Sequence, residues 1–201
     1  MRCPYCKTEV EARVTTCGRC GLSLEKVTRL FGVVPRIVKG VSDDAGVLSD
    51  SAKRRIRTIA NELTIRFPQT SFSVVTANLP PDTSLSVFAF WIFNEAGIAR
   101  DLDRASNNYD ILLTIDPGSG RANLMVGYGL QNFVSESQLS AIIEAARDFF
   151  DRGAYADAIE QTISGLREAL TDIAVNLKST HGVAPVVRAK STEVEMSPAD
   201  Y

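Results

Sequence analysis

The sequence predicts an α/β sandwich with a mixed sheet, preceded by a small module built on four cysteines. Three observations predict it. All four cysteines lie in the opening stretch CPYCKTEVEARVTTCGRCG. Beyond it, segments rich in β-branched residues alternate with segments of helical hydrophobic period. YDILLTID at 109–116 is nearly continuous apolar sequence followed by turn residues, the pattern of a central strand that enters a hairpin.

Cys3, Cys6, Cys17 and Cys20 form two Cys-x-x-Cys pairs separated by ten residues. Each pair can bend two thiolates toward one point, which predicts a tetrahedral four-sulfur cage for a structural zinc. A thioredoxin-type site needs one such pair at the start of a helix in a βαβ unit, and a disulfide framework belongs to secreted chains. Here Met1 leads into Arg2 and Cys3 with no apolar signal stretch, so a reducing, cytoplasmic compartment is expected. Gly18 and Gly21 allow positive φ, the geometry in which backbone amides turn toward sulfur. A cage closed by four thiolates leaves no position for water, so the ion stabilises the fold and performs no chemistry.

Residues 1–30 carry six Lys/Arg against three Asp/Glu, and zinc with four thiolates subtracts two from that excess of three. The whole chain has a net charge of −2. The electrostatic footprint of a nucleic-acid binder is missing, and a protein partner is the expected contact. At 201 residues and 45% hydrophobic, the chain can bury one domain beside the cysteine module. Its longest apolar run, SVFAFWIF at 86–93, is less than half of the ~20 residues that cross a bilayer. Oligomeric state is not legible.

The expected organisation is a zinc ribbon over 1–25, a connector over 26–40, the α/β domain over 41–178 and a tail over 179–201. Gly32, Pro35 and Gly40 make the connector extended or an edge strand. Ser49 or Asp50 caps a helix with Ile56, Ile59, Ala60, Leu63 and Phe67 on one face, and Pro68 ends it. SFSVVTANL at 71–79 reads as a strand, PPDTS as a turn and cap, and residues 84–96 as a second helix. After 109–116 the turn residues Asp116–Gly120 return RANLMVGYG antiparallel. Ser135 and Gln138 form a capping box for a helix that buries Leu139, Ile142, Ile143, Ala146, Phe149 and Phe150. In the last helix Ile159, Ile163, Leu166, Leu170, Ile173 and Leu177 recur at spacings of three and four, a face suited to covering the sheet.

In this order, VSDDAGVLSDSAKRRIRTIANEL, FSVVTANL, FNEAGIAR, DILLTID, VGYGLQNFVSESQLSAII and FFDRGAYADAIEQTISGL resemble the TPM domain family over residues 41 to about 170. The family is named for thylakoid-lumen, photosystem II repair and nematode receptor-modulating members. The resemblance implies a three-layer α/β/α sandwich. It also implies either a part in the assembly or maintenance of membrane complexes or, as the alternative, a divalent-metal-dependent acid-phosphatase-like activity. Members are often exported or membrane-tethered. This chain has Ala96-Gly97-Ile98-Ala99 where the family usually has Trp-Gly-Ile-Gly, and Tyr109-Asp110 where it usually has Asn-Gly.

Read without the family, Asp43 and Asp44 before the first helix and Asp101 and Asp103 before the central strand are candidate oxygen ligands for calcium or magnesium. Ligands in open α/β sheets collect beyond the carboxyl ends of the strands, which would bring Asn78 near Asp43 and Asp101. DLDRASNNYD lacks the glycine and glutamate of an EF-hand loop. The single histidine, His181, falls at the tail and removes an ordinary Ser-His or Cys-His pair. Gly127-Tyr128-Gly129 reads as a tight strand-to-helix turn, because Asn132 stands where a dinucleotide fingerprint needs glycine. The aromatic residues Phe88, Phe90, Trp91 and Phe93 cover more than one helix face, so part of them is core and part a potential docking patch.

Overall fold

A computed structural model describes residues 2–11, 14–35, 37, 40–96 and 109–181, with side chains to residue 176. After the cysteine-bearing segment come α1 (Leu24–Phe31), β1 (Val41–Asp43), α2 (Asp50–Arg66), β2 (Ser71–Thr76), α3 (Leu85–Glu95), β3 (Asp110–Asp116) and β4 (Arg121–Val126). Then follow the one-turn α4 (Tyr128–Gln131), α5 (Glu136–Ala145), α6 (Arg147–Asp151) and the long α7 (Tyr155–His181). The strands lie in the order β1-β2-β3-β4, parallel except for the β3–β4 hairpin. The sheet is therefore mixed, and helices cover both of its faces.

The strand period assigns the faces. Phe72 and Val74 of β2, Ile111, Leu113 and Ile115 of β3 and Leu124 and Val126 of β4 pack with Ile56 and Leu63 of α2 and with Ile159, Ile163, Leu166 and Leu170 of α7. Val75 and Leu112 point the other way, into a smaller cluster with Leu85, Phe88, Trp91 and Ile92 of α3. Every residue of β3 is buried. That is why its sequence is continuously apolar rather than alternating.

The helix starts follow the sequence. Ser49, Ser84 and Ser135 cap α2, α3 and α5 by accepting from the amides of Ala52, Val87 and Gln138. Gln138 returns a bond to Ser135 and completes the capping box. The last helix continues beyond residue 178 to His181. The expected single helix over 136–150 is broken between α5 and α6 at Ala146, which is wholly buried and whose amide bonds Ile143 and Glu144.

Two elements differ from the sequence reading. The first part of the expected extended connector is the helix α1, whose cap Ser23 accepts from the Lys26 amide while Val27 is buried to 2% exposure. Leu24, Val27 and Phe31 lie at helical spacing against α3, and that tertiary contact stabilises a helix too short to persist alone. The loop before α2 also contains a strand, β1. It registers Val41 to Val74 and Asp43 to Thr76.

Gly40 makes that strand possible. Its φ is 73°, and a Cβ there would lie 2.9 Å from the Phe72 carbonyl oxygen. Its own carbonyl accepts from the Val74 amide at 2.8 Å. Gly40→Ala therefore combines a left-handed backbone with a clash against β2, and it is expected to destabilise the chain by about 3 kcal/mol in urea unfolding. Gly18→Ala, in open space, serves as the neutral control.

Candidate metal centre

The two cysteine pairs occupy two backbone turns of the same construction. In the first, the Cys3 amide donates to the Thr8 carbonyl, the Lys7 amide donates to the Cys3 carbonyl, and Arg2 bridges antiparallel to Glu9. In the second, the Cys17 amide donates to Leu22, the Gly21 amide to Cys17, and Thr16 bridges to Ser23. Each turn needs one left-handed residue after its second cysteine, supplied by Gly21 (φ 68°) and by Lys7 (φ 60°). The positive φ expected at Gly18 does not occur there. Lys7 takes the equivalent place at a strain cost that glycine would avoid.

These turns bring all four Sγ atoms within 4.8 Å of one another. Cys3 and Cys20 are separated by 3.7 Å and Cys6 and Cys17 by 3.6 Å. A tetrahedron with zinc–sulfur bonds of about 2.3 Å has edges of about 3.8 Å, so the donor set and its spacing fit one metal ion. Cys3 and Cys17 are buried, and Cys20 is exposed.

The surroundings treat the sulfurs unequally. The Thr8 hydroxyl, then the Thr8 amide, draw the Cys6 thiol down to about 6. Thr8 Oγ1 lies 3.4 Å from the Cys6 sulfur, whose thiol donates to it, and also accepts from Arg19 at 3.2 Å. The Leu22 amide favours a Cys20 thiolate, but desolvation and the neighbouring sulfurs of Cys6, Cys17 and Cys3 outweigh it and push that thiol up to about 12. Four thiolates this close repel one another until a cation sits among them.

The acidic candidates are arranged differently. The Asp43 side chain is almost wholly buried, at 1% exposure. Its Oδ1 accepts from the Val47 amide at 3.0 Å and the Thr76 hydroxyl at 2.6 Å. Its Oδ2 accepts from the Leu48 amide at 3.1 Å and pairs with Lys53 Nζ at 3.0 Å. The acceptor directions are taken, with a lysine ammonium where a cation would bind. This geometry gives Asp43 the work of tying the β1–α2 loop. Asp44 is exposed and accepts from Ser42 Oγ at 3.3 Å. Asp101 and Asp103 lie outside the described residues. Asp110, at the start of β3, registers with Ser71, whereas Asp43 registers with Thr76 at the other end of β2.

A second aspartate, Asp116, ends β3 near the turn at Gly118 that Asn78 also approaches. It is fully buried and bound to the Ser119 hydroxyl at 2.5 Å, the Arg121 guanidinium at 3.1 Å and the Leu79 amide. A Cβ on Gly118 would lie 3.5 Å from both Asn78 Oδ1 and Asp116 Oδ1. Sequence reasoning treated Asp116 as a turn residue. The signal for it was an aspartate closing an apolar strand, with Arg121 opposite in the hairpin. Asp43 faces α2 and Asp116 faces α3, two strands or about 10 Å apart, so the two do not share an ion.

A cleft of about 950 Å³ separates the first cysteine turn from β4 and the start of α5, with Arg2, Lys7 and Glu11 on one wall and Asn123, Tyr128 and Glu136 on the other. Arg2 reaches Glu136 across it at 3.3 Å. No helix among the described residues is long and apolar enough to cross a membrane.

The fold is similar to the N-terminal domain of a P. gingivalis protein solved by NMR, with 22% identity, 69% of this chain and 92% of that one covered, and a TM-score of 0.56. It is also similar to the N-terminal domain of the cg2496 protein from Corynebacterium glutamicum, with 13% identity, 65% and 78% covered, and a TM-score of 0.50. No curated protein matches in sequence. Residues 41–169 match the TPM domain, a span that runs from β1 into the first half of α7 and leaves the sulfur cage and α1 on its amino-terminal side. By that match over well more than half of its length, the chain belongs to the TPM domain family.

Proposed function

We propose that the protein is a cytoplasmic interaction module of the assembly or maintenance kind, in which a structural zinc held by Cys3, Cys6, Cys17 and Cys20 fixes a protein-contact surface against the TPM domain. The observation that carries this is the sulfur cage, whose spacing suits one zinc and whose second turn runs straight into a helix packed on the domain. The cleft between the first turn and α5, lined by charges of both signs beside apolar residues, is a suitable partner surface. A pull-down from lysate with the full chain and with its Cys17→Ser variant tests the reading. Partners held by the native chain and lost by the variant support it, and an unchanged set removes the module from the function.

The alternative is the divalent-metal-dependent acid-phosphatase-like hydrolase that likeness to the TPM domain family implies. It needs a divalent cation among acidic loop residues, and Asp43 is committed to Lys53, Thr76 and two amides. Calcium or magnesium titrated into the protein is accordingly expected to leave the thermal midpoint unchanged. A rise that grows with ion concentration, together with steady turnover of a generic phosphoester, would restore the hydrolase reading.

A further inference from the structure

We infer that the aromatic outer face of α3 is a helix-binding surface occupied by the chain's own α1, and that metal in the four-cysteine cage holds α1 there. The inference rests on the zinc reading above and adds a gate to it.

α3 is buried on more than one side. Leu85, Val87, Phe88, Ala89, Trp91 and Ile92 are all shielded, although a helix lying on a sheet needs only one apolar face. The additional cover comes from α1. Phe31 sits edge-on to Phe88 with ring centroids 5.3 Å apart and lies 5.1 Å from Trp91, while Val27 is buried beside them.

α1 has eight residues, well short of the ~12–15 at which an isolated helix becomes even marginal in water. Its amino end is fixed by the second cysteine turn. Ser23 is both the bridge partner of Thr16 in that turn and the cap of α1, and Lys26 Nζ reaches back to the Gly21 carbonyl at 2.7 Å. Gly32, with φ 74° and nothing within 4 Å of a Cβ built on it, ends the helix and works as a hinge on the other side. Without the ordered turn, α1 loses its cap and its anchor together.

The closed arrangement also leaves polar groups unpaired on both of its helices. Trp91 Nε1 and the Thr28 hydroxyl of α1 are buried without a hydrogen-bond partner among the described residues. A buried donor or acceptor with no partner is a cost that water removes on exposure. Packing holds α1 down while these two atoms favour its release, and the cage decides between them.

Trp91 is the only tryptophan, so its emission reports this face alone. The experiment treats the full-length protein with a strong chelator, following released metal with a zinc-sensitive dye, Trp91 quenching with acrylamide, and amide exchange segment by segment. The expected result is a red shift and a several-fold rise in quenching in step with metal release, with faster exchange in α1 and slow exchange retained in β3. Metal release with Trp91 still shielded overturns the gate while leaving the zinc reading intact. Exchange of β3 rising as fast as that of α1 also overturns it, because the metal would then support the whole chain rather than one helix. Finding no metal to release removes the zinc reading and the gate with it. Phe31→Ala separates the parts: it is expected to keep its metal yet show a quenchable Trp91, and a shielded Trp91 in that variant would refute α1 as the cover.

Discussion

Replacing Cys17 by serine is expected to abolish tight metal binding and unfold the cysteine-bearing turns, while the sheet and its α2–α7 face remain folded. Cys17 is buried at 6% exposure, its sulfur lies 3.6 Å from that of Cys6, and its carbonyl closes the second turn through the Gly21 amide. Structural zinc contributes roughly 10–16 kcal/mol of binding free energy at neutral pH in small modules of this kind, which is folding free energy because no site exists in the unfolded chain. A module of this size has little core of its own to set against that loss. Far-UV circular dichroism should show one cooperative transition at nearly the native midpoint, and among the described residues the rise in exchange should be confined to 2–11 and 14–31. Loss of the whole transition would mean that the domain depends on the cage for its stability.

Asp43→Ala is expected to cost about 3 kcal/mol, at the lower end of the range for breaking a buried ion pair, because Lys53 is 26% exposed and can recover some hydration. The substitution strands the Thr76 hydroxyl and the Val47 and Leu48 amides as well. The same contacts predict a pH dependence. Burial raises the Asp43 carboxyl, but the Thr76 hydroxyl, Lys53 and the two amides outweigh it and hold it below the usual carboxylate range. For Asp116, too, burial is outweighed, by Ser119, the Leu79 amide and Arg121. A carboxyl with a lowered folded pKa stabilises fully above its unfolded value near ~3.9 and loses that contribution as pH falls through the folded value. Asp110 acts in the opposite sense, since burial raises its carboxyl against a single bond from Ser71. Urea midpoints for the native chain should therefore fall on acidification below about pH 4, and the difference between native chain and Asp43→Ala should shrink over the same window. A difference independent of pH down to the acid transition would show that Asp43 acts without its charge.

What could be read in the sequence was local. The caps at Ser49, Ser84 and Ser135 depend on residues three positions away, and the cysteine turns on spacings of the same order. β3 announced itself because burial on both faces removes all alternation. β1 did not, since three residues containing Ser42 and Asp43 are too few to show a period. α1 was obscured by Gly32 and Pro35, which suggested extended chain. What fixes it as a helix is Phe88 and Trp91, some sixty residues away in sequence. Asp43 was expected as a calcium or magnesium ligand on the loop before α2, and the structure places it at the end of β1. Its occupation could not be foreseen, because Thr76 and Lys53 reach it from two other elements. Of the aromatic group Phe88, Phe90, Trp91 and Phe93, Phe88 and Trp91 belong to the core, where α1 covers them.

The most direct test of the account is the metal content of protein purified without a histidine tag, measured together with zinc-edge X-ray absorption. One zinc per chain, surrounded by four sulfurs at about 2.3 Å and lost in Cys17→Ser, is the predicted result. Substantially less than one zinc per chain, a first shell containing nitrogen or oxygen, or a Cys17→Ser variant that retains its metal would contradict it.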